Sequence, residues 1–395
     1  MAPPDRMTRI ALVTPILPVP QDPTRGRFIF ETAKALSRQA QVRVFLQQAD
    51  YLHTRLPGLK APGAQPLRGH LNLDGLDVEA ATYPAMPKLS RPFNGWLSGR
   101  SVSPGIQAFK PDAVIGYWVY PEGAGALHAA RQLGVPGIIG ALGTDIHMRS
   151  GLNAWLTRRT LQQADAVITV SEAMTRYTES QHGVPGNRIT TIVNGFNTGI
   201  FHPRPREQTR QALGLAPDEK VILYVGRLIE AKGLRELMTA FQAVLTQHPR
   251  ARLAFAGEGA LKTELQAQIE QMGLTSRIQL LGGIAPSSVA EWMSSADVLT
   301  LPSWSEGYPN VLVEALACGC PVVASRVGGI PEIVTEHNGL MHLARDATAL
   351  SQSLLKALSH PWSRSAIAQA CTRTWDDVAT ETLAVCQKLI QQRAR

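Results

Sequence analysis

The sequence predicts an α/β protein built from two Rossmann-like, doubly wound parallel-sheet domains that face each other across a cleft. Three observations predict it. Short apolar runs alternate with helical patterns through most of the chain. The alternation breaks once, at VNGFNTGIFHPRP over 193–205, where Asn-Gly and two prolines mark a linker. A chain of 395 residues also exceeds one ordinary core, since domains run to roughly 100–200 residues.

In the first half, strands are expected at 9–14, 41–46, 112–116, 137–141, 166–170 and 188–192. Each is a continuous apolar run, which a sheet buried on both faces needs. Helical periodicity fits 27–38, 122–133, 153–164 and 172–182. Residues 49–75 and 84–104 hold Pro, Gly, Leu and Arg without period and read as extended surface loops, with Trp96 anchoring an amphipathic piece. After the linker, strands are expected at 221–225, 252–256, 278–281, 298–301 and 321–324. Helices fit 233–246, 260–272, 287–294, 309–317 and 347–358. The expected domains are 1–203 and 204–374, with a terminal helix over 375–395 crossing back to the first.

Composition excludes some classes. Hydrophobic residues make up 44% and charged residues 18%, which argues against disorder. Aromatics at 6% do not favour a stacking platform for single-stranded nucleic acid. No apolar run approaches the length needed to span a bilayer. Four cysteines, spaced C-x-C and then far apart, read as reduced thiols of a cytoplasmic protein. The net charge of +8 is uneven. Residues 1–203 carry 20 Lys and Arg against 13 Asp and Glu, and residues 204–395 carry 19 against 18. A basic half points to an anionic partner, though it also serves solubility.

Two stretches carry chemistry. In YVGRLIEAKG over 224–233, a strand ends, Gly226 turns the chain, and Arg227 and Lys232 precede a helix. Cations beside a helix N-terminus form an anion site, with Arg227 able to fork two phosphate oxygens and Lys232 a point charge. The same two residues also fit an ordinary surface turn. In SEGYPNVLVEALACGCPVVAS over 305–325, the loop follows a strand's carboxyl end. Glu306, Gly307, Tyr308, Asn310 and Val311 crowd a helix start, and Glu314 sits in an apolar helix. Carboxylates there accept hydrogen bonds from ligand hydroxyls. A buried Glu314 would need a partner.

These motifs resemble those of the retaining glycosyltransferase family 4, the group 1 glycosyltransferases of GT-B fold. The resemblance covers nearly the whole chain. It rests on Glu306 and Glu314 as an E-x7-E pair, on Gly226, Arg227, Lys232 and Gly233 as G-R-x4-K-G, and on AGEGALKTEL, RIQLLGG and VNGFNTGIFHP. It implies a nucleotide-sugar donor held by the second domain. Arg227 and Lys232 would bind the diphosphate and Glu314 the ribose, while Glu306 with the backbone of Gly307, Tyr308, Asn310 and Val311 would hold sugar and phosphates. Gly26, in PTRGRFIFETAKAL, matches a glycine loop that touches donor or acceptor. GALGTDIH over 140–147 matches a stretch in which the family places a histidine where this chain has Leu142. Asp145 is kept, as a candidate contact for acceptor or sugar hydroxyls, and His147 either replaces that histidine or caps the next segment. Tyr117, Trp118 and Tyr120, after the 112–116 strand, either stack on an acceptor sugar or pack at the sheet edge.

The resemblance implies a retaining transfer without a metal, and no cofactor beyond the donor itself. Attack is expected on the donor's front face, with the leaving phosphate taking the acceptor's proton. The expected acceptor is a glycan or a lipid-linked glycan, in the synthesis of a cell-surface polysaccharide. The basic first domain then suits an anionic membrane surface at the inner face of the membrane better than nucleic acid. A non-catalytic nucleotide-sugar sensor or scaffold and a GT-B sugar-nucleotide epimerase stay open as alternatives.

Overall fold

A computed structural model describes residues 6–19, 25–51, 66–86, 89–147 and 151–395. The chain divides into two compact units, Met1–Asn194 with Trp375–Arg395, and Gly195–Thr374. Each is an α/β unit around its own apolar core.

The first unit holds an eight-stranded sheet. Its strands are β1 (Arg9–Thr14), β2 (Gln41–Tyr51), β3 (Gly69–Leu73), β4 (Leu76–Ala85), β5 (Ala113–Tyr117), β6 (Gly137–Gly140), β7 (Ala166–Thr169) and β8 (Ile189–Thr191). They lie in the order β3-β4-β2-β1-β5-β6-β7-β8. All pairs are parallel except β3 with β4. AVIGY, GIIG and AVIT in β5, β6 and β7 are buried at every position, so both faces are covered.

Two expectations for this unit need correction. The stretch 49–75 is not simply a loop: β2 runs on through Tyr51, and Gly69–Leu73 pairs with Leu76–Ala85. Residues 52–65 lie outside the described residues. The cause is the Asp74-Gly75 turn, with φ of 51° and 87° between paired Leu73 and Leu76, a two-residue hairpin turn whose twist suits the strands. The stretch 84–104 is likewise mostly ordered. It ends β4, turns at Arg91–Phe93 and enters the helix Asn94–Phe109. That helix buries Gly95, Ser98, Gly99 and Ser103, so the first half of its inner face is written in small residues, and the apolar stripe of Val102, Ile106 and Phe109 begins only in its second half. The reason is close packing on the helix Ala124–Leu133: a Cβ on Gly95 would lie 2.9 Å from the Ala124 Cβ, and one on Gly99 2.8 Å from the His128 ring. Trp96 does not anchor this piece to the core; its side chain is exposed.

The terminal helix Trp375–Arg393 packs on the helix Arg27–Leu36 within this unit, burying Trp375, Val378, Ala379 and Cys386 in the first core.

The second unit holds six parallel strands: β9 (Val221–Val225), β10 (Arg252–Ala256), β11 (Ile278–Gly282), β12 (Val298–Leu301), β13 (Val322–Ser325) and β14 (Gly339–His342). β14 is an addition to the expected strands. The order is β11-β10-β9-β12-β13-β14, the doubly wound 3-2-1-4-5-6 pattern. The winding reverses between β9 and β12, so chain leaves these neighbouring strands in opposite directions. A crevice outside their carboxyl ends is where such folds take ligands.

Candidate functional site

The loops after β9 and β12 carry the two sequence motifs, so the fold brings Gly226–Gly233 and Pro302–Pro309 to the switch point of the second unit. They are joined backbone to backbone. The Trp304 N–H donates to the Ala231 carbonyl at 2.9 Å. A Cβ on Gly233 would lie 2.1 Å from the Pro302 carbonyl oxygen, so only glycine lets these strands of chain approach. On the far side, the Gly329 N–H donates to the Gly307 carbonyl at 2.9 Å, and a Cβ on Gly328, whose φ is 53°, would sit 1.8 Å from the Glu306 carbonyl oxygen.

Across this junction the Lys232 Nζ donates to the Glu306 Oε1 at 2.5 Å. Both side chains are largely buried, at 18% and 12% exposure. The pair fixes a lysine at the carboxyl ends of the central strands. Arg227 is exposed on the same loop and forms no ion pair with the described residues. Its carbonyl accepts a 2.8 Å hydrogen bond from the Tyr224 hydroxyl, beneath the loop. Burial, then the Glu306 charge, hold that phenol well above its ordinary pKa, so it stays a neutral donor. Gly226 donates to the Ala256 carbonyl at 2.9 Å and ties this loop to the one after β10.

Pro309 starts the helix Asn310–Ala317, placing Asn310 and Val311 in its first turn, where amide N–H groups have no carbonyl one turn earlier. Tyr308, half-buried against the second core, has a hydroxyl that burial pushes up to about 12. Glu314 lies half-buried on the next turn. Together with burial and the Cys320 sulfur, its charge keeps the Cys318 thiol raised, to about 12. Among the described residues, the site thus gathers two cations, a helix N-terminus and two carboxylates. Chemically, that is a seat for a phosphorylated, hydroxyl-bearing ligand.

One pair was not visible in the motifs. Trp304, two residues before Glu306, donates its indole N–H to Glu236 Oε1 at 2.9 Å, and the Arg345 guanidinium lies 4.2 Å from the centre of its ring. This buttress holds the Glu306 loop against the helix Leu234–Gln247. A lone tryptophan between a strand and a glutamate was its only signal.

The first-unit residues are placed differently. Gly26 caps the helix Arg27–Leu36 with φ of 66°, its Cα against the Ile16 carbonyl. Asp145 is 1% exposed and accepts from the N–H groups of Gly143 at 2.8 Å, Leu142 at 3.1 Å and Val119 at 3.4 Å. Burial raises its pKa, and those three donors oppose the rise. Read in sequence as a contact for hydroxyls, Asp145 is here a carboxylate that shapes the turn at Leu142. His147 is half-buried, its ring 4.2 Å from that of Tyr177, and burial lowers its pKa. Tyr117 and Tyr120 are buried, so they pack and do not present rings to a ligand.

The Glycosyl transferases group 1 family model matches residues 205–373, and the Glycosyl transferase 4-like domain model matches residues 26–195. A D-inositol 3-phosphate glycosyltransferase of Acidothermus cellulolyticus is 31% identical over 256 residues, covering 60% of this chain and 57% of the relative. A Bacillus subtilis protein named for teichuronic acid biosynthesis is 27% identical over 293 residues, 71% of each chain. The chain spans about half to seven-tenths of the length of the curated relatives it matches. Among solved structures, sucrose-phosphate synthase of Thermosynechococcus elongatus superposes with a TM-score of 0.78 at 21% identity, covering 98% of this chain and 100% of the other. Anabaena HepE, solved in complex with UDP and glucose, gives 0.69 at 20% identity with the same coverage. These likenesses show a GT-B fold.

Proposed function

We propose that this chain, which belongs to the group 1 glycosyltransferases, moves a sugar from a nucleoside-diphosphate sugar to a glycan or lipid-linked acceptor with retention of configuration. The observation that carries the reading is the Lys232–Glu306 pair bridging the loops after β9 and β12, with Arg227 open beside it. As the bond from the sugar's anomeric carbon to the diphosphate breaks, negative charge grows on the leaving oxygen. Lys232, Arg227 and the first-turn amides of the helix Asn310–Ala317 meet that charge, and no metal is assigned to the step. The acceptor oxygen bonds the anomeric carbon on the face the diphosphate leaves. Its proton passes to the departing phosphate oxygen, which balances the exchange.

Glu306 keeps Lys232 in place before the donor arrives and then serves the sugar's hydroxyls. Glu314 takes the ribose. Gly26, Asp145 and His147 belong to the first unit, to which we assign the acceptor; Asp145 acts there by shaping the Leu142 turn. HepE was solved with UDP, so uridine is the first base to try. The teichuronic acid name of the Bacillus subtilis relative supports an acceptor in a surface polymer.

Titration calorimetry with UDP-, GDP- and ADP-sugars tests the donor site. Arg227→Ala and Glu314→Ala should each weaken donor binding roughly ten- to a hundredfold, the range of a lost charged hydrogen bond. Donor affinity equal to wild type in both variants overturns the assignment. A sensor would bind donor without releasing nucleotide when acceptor is added. An epimerase would release altered sugar without making a glycosidic bond.

A further inference from the structure

We propose that the first unit docks on an anionic bilayer through one face, built from the Arg91–Phe93 turn with the helix Asn94–Phe109 and from the helix Gly151–Gln163. Three observations lead there.

The first is apolar exposure. Leu89, Phe93, Trp96, Leu152 and Trp155 are 48% to 75% exposed. They come from two segments that the Arg91 Nε hydrogen bond to Asn153 Oδ1, at 2.8 Å, ties together. Most of the large exposed apolar side chains among the described residues lie on these segments. Contiguous exposed apolar surface marks an interaction site.

The second is a repeated device. Phe93, Trp96 and Arg100 are spaced three and then four residues apart, and so are Leu152, Trp155 and Arg159. On a helix this spacing puts all three on one side. In both, the guanidinium lies over its indole, 5.1 Å from the Trp96 ring centre and 5.2 Å from that of Trp155. An apolar body, an amphipathic ring and a long cation are the side chains that settle between acyl chains and phosphates.

The third is charge. Residues 89–111 and 151–164 contain five Lys and Arg and no Asp or Glu. The rest of the first 203 residues has fifteen Lys and Arg against thirteen Asp and Glu. Most of the basic surplus of the first half therefore belongs to these two segments. A docking protein surface would need paired polar contacts across its rim. A nucleic acid would not need exposed leucine and phenylalanine. An anionic lipid surface matches both the charge and the apolar tips, with each Lys or Arg near it worth about 1 kcal/mol.

The proposal rests on the face itself. Joined to the transfer reading, it gives a lipid-linked acceptor a place to be met. The test is flotation and tryptophan emission of the full chain with vesicles of phosphatidylcholine, with or without phosphatidylglycerol. Binding should require the anionic lipid, weaken roughly tenfold or more between low and physiological-plus salt, and bring quenching by brominated acyl chains. Trp96→Ser with Trp155→Ser should lose about a decade or more of partitioning, since each indole buries a large apolar area. Both side chains are exposed, so the fold should hold. Arg100→Glu with Arg159→Glu should abolish the lipid preference. Equal binding to neutral vesicles, or unchanged partitioning in the tryptophan variant, overturns the proposal. Retention on a soluble polyanion without acyl-chain quenching would show a nucleic acid or acidic polymer surface and also overturn it. UDP binding by calorimetry is measured in parallel. If it fails in wild type while vesicle binding holds, the transfer reading falls and this one stands.

Discussion

The two units spend their charge in opposite ways. The second, nearly neutral over residues 204–395, concentrates cation chemistry in Arg227 and Lys232 on a loop that neighbouring backbone clamps on two sides. The first carries most of its surplus on two helical segments, where Arg100, Lys110, Arg158 and Arg159 are open to solvent. A fixed anion needs few charges held at defined positions in a low-dielectric setting. A broad anionic surface needs many, loosely held and additive. The difference teaches that the net charge of the chain says nothing about its candidate donor site.

The strongest break of that comparison is Lys232→Ala. Removing one group that meets developing charge costs roughly 10²- to 10³-fold in kcat/KM, about 2.7–4 kcal/mol. Arg100→Ala with Arg159→Ala removes twice the charge from the first unit and should shift donor affinity less than about twofold, because both arginines are exposed, belong to the other unit and are screened by salt. Steady-state transfer and donor titration of both variants check it. If the first-unit pair costs as much as Lys232, the separation between local and global charge is wrong.

A second contrast concerns backbone. Gly328→Ala drives a Cβ to 1.8 Å from the Glu306 carbonyl oxygen, so the loop must shift and carry Glu306 with it. Gly134 has a similar φ of 68° but nothing within 4 Å. Gly134→Ala should cost about 1–2 kcal/mol, the conformational strain alone. Gly328→Ala should cost more than that and weaken donor binding as well. Thermal unfolding with and without UDP separates the two effects.

Legibility followed the same division. β9, β10 and β12 were readable to the residue because their runs are apolar apart from Arg252 and Thr300 and are bounded by glycine, proline or charge. The Asn94–Phe109 helix was not, since glycine and serine fill the first half of its buried face and Pro104 lies inside it. The β3–β4 hairpin was missed although its Asp74-Gly75 signal stands in the sequence; polar Asn72 and Asp77 beside it gave the stretch the look of a loop. In the site, Lys232 and Glu306 could be named from their motifs, but their mutual contact could not, because 74 residues separate them. Asp145 was named for chemistry by likeness; only burial and three backbone donors show what its carboxylate is doing here.

Glu122 gives a pH test confined to the first unit. Its carboxyl is buried, accepts a 2.9 Å hydrogen bond from the Tyr83 hydroxyl, and is pushed up to about 7, chiefly by burial. The folded value lies above the unfolded one, near 4.5. Its contribution is therefore fully present below about pH 4.5 and is lost as pH rises through about 7, a swing of about 3 kcal/mol. Asp145 is raised and adds the same sign, whereas His147 and His182 are lowered and oppose it. The difference between wild type and Glu122→Gln isolates the one group. Urea unfolding of both between pH 4.5 and 8 should show the gap closing or reversing in favour of the glutamine as pH rises. A pH-independent gap would mean that Glu122 does not titrate in this window, and donor binding should not follow the gap.

The smallest effect is at the seam of the terminal helix. Arg38 bonds Asp376 through Nε at 3.0 Å and again through Nη2, with both side chains more than half exposed. An exposed pair of this kind is worth about 0.2–1 kcal/mol and fades with salt. Asp376 also sits in the first turn of Trp375–Arg393, where a negative charge is favoured by about 0.3–1 kcal/mol whatever its partner. Asp376→Ala should therefore cost more than Arg38→Ala, and the double variant should match Asp376→Ala alone. Gln39 donates to the Asp376 carbonyl and accepts from Thr380, so the backbone there stays anchored in both variants. Chemical unfolding in low and high salt reads the cycle. If the Arg38→Ala cost persists in 1 M salt, the arginine acts by covering apolar surface, and the helix is held to the first unit by packing around Trp375 with no electrostatic share.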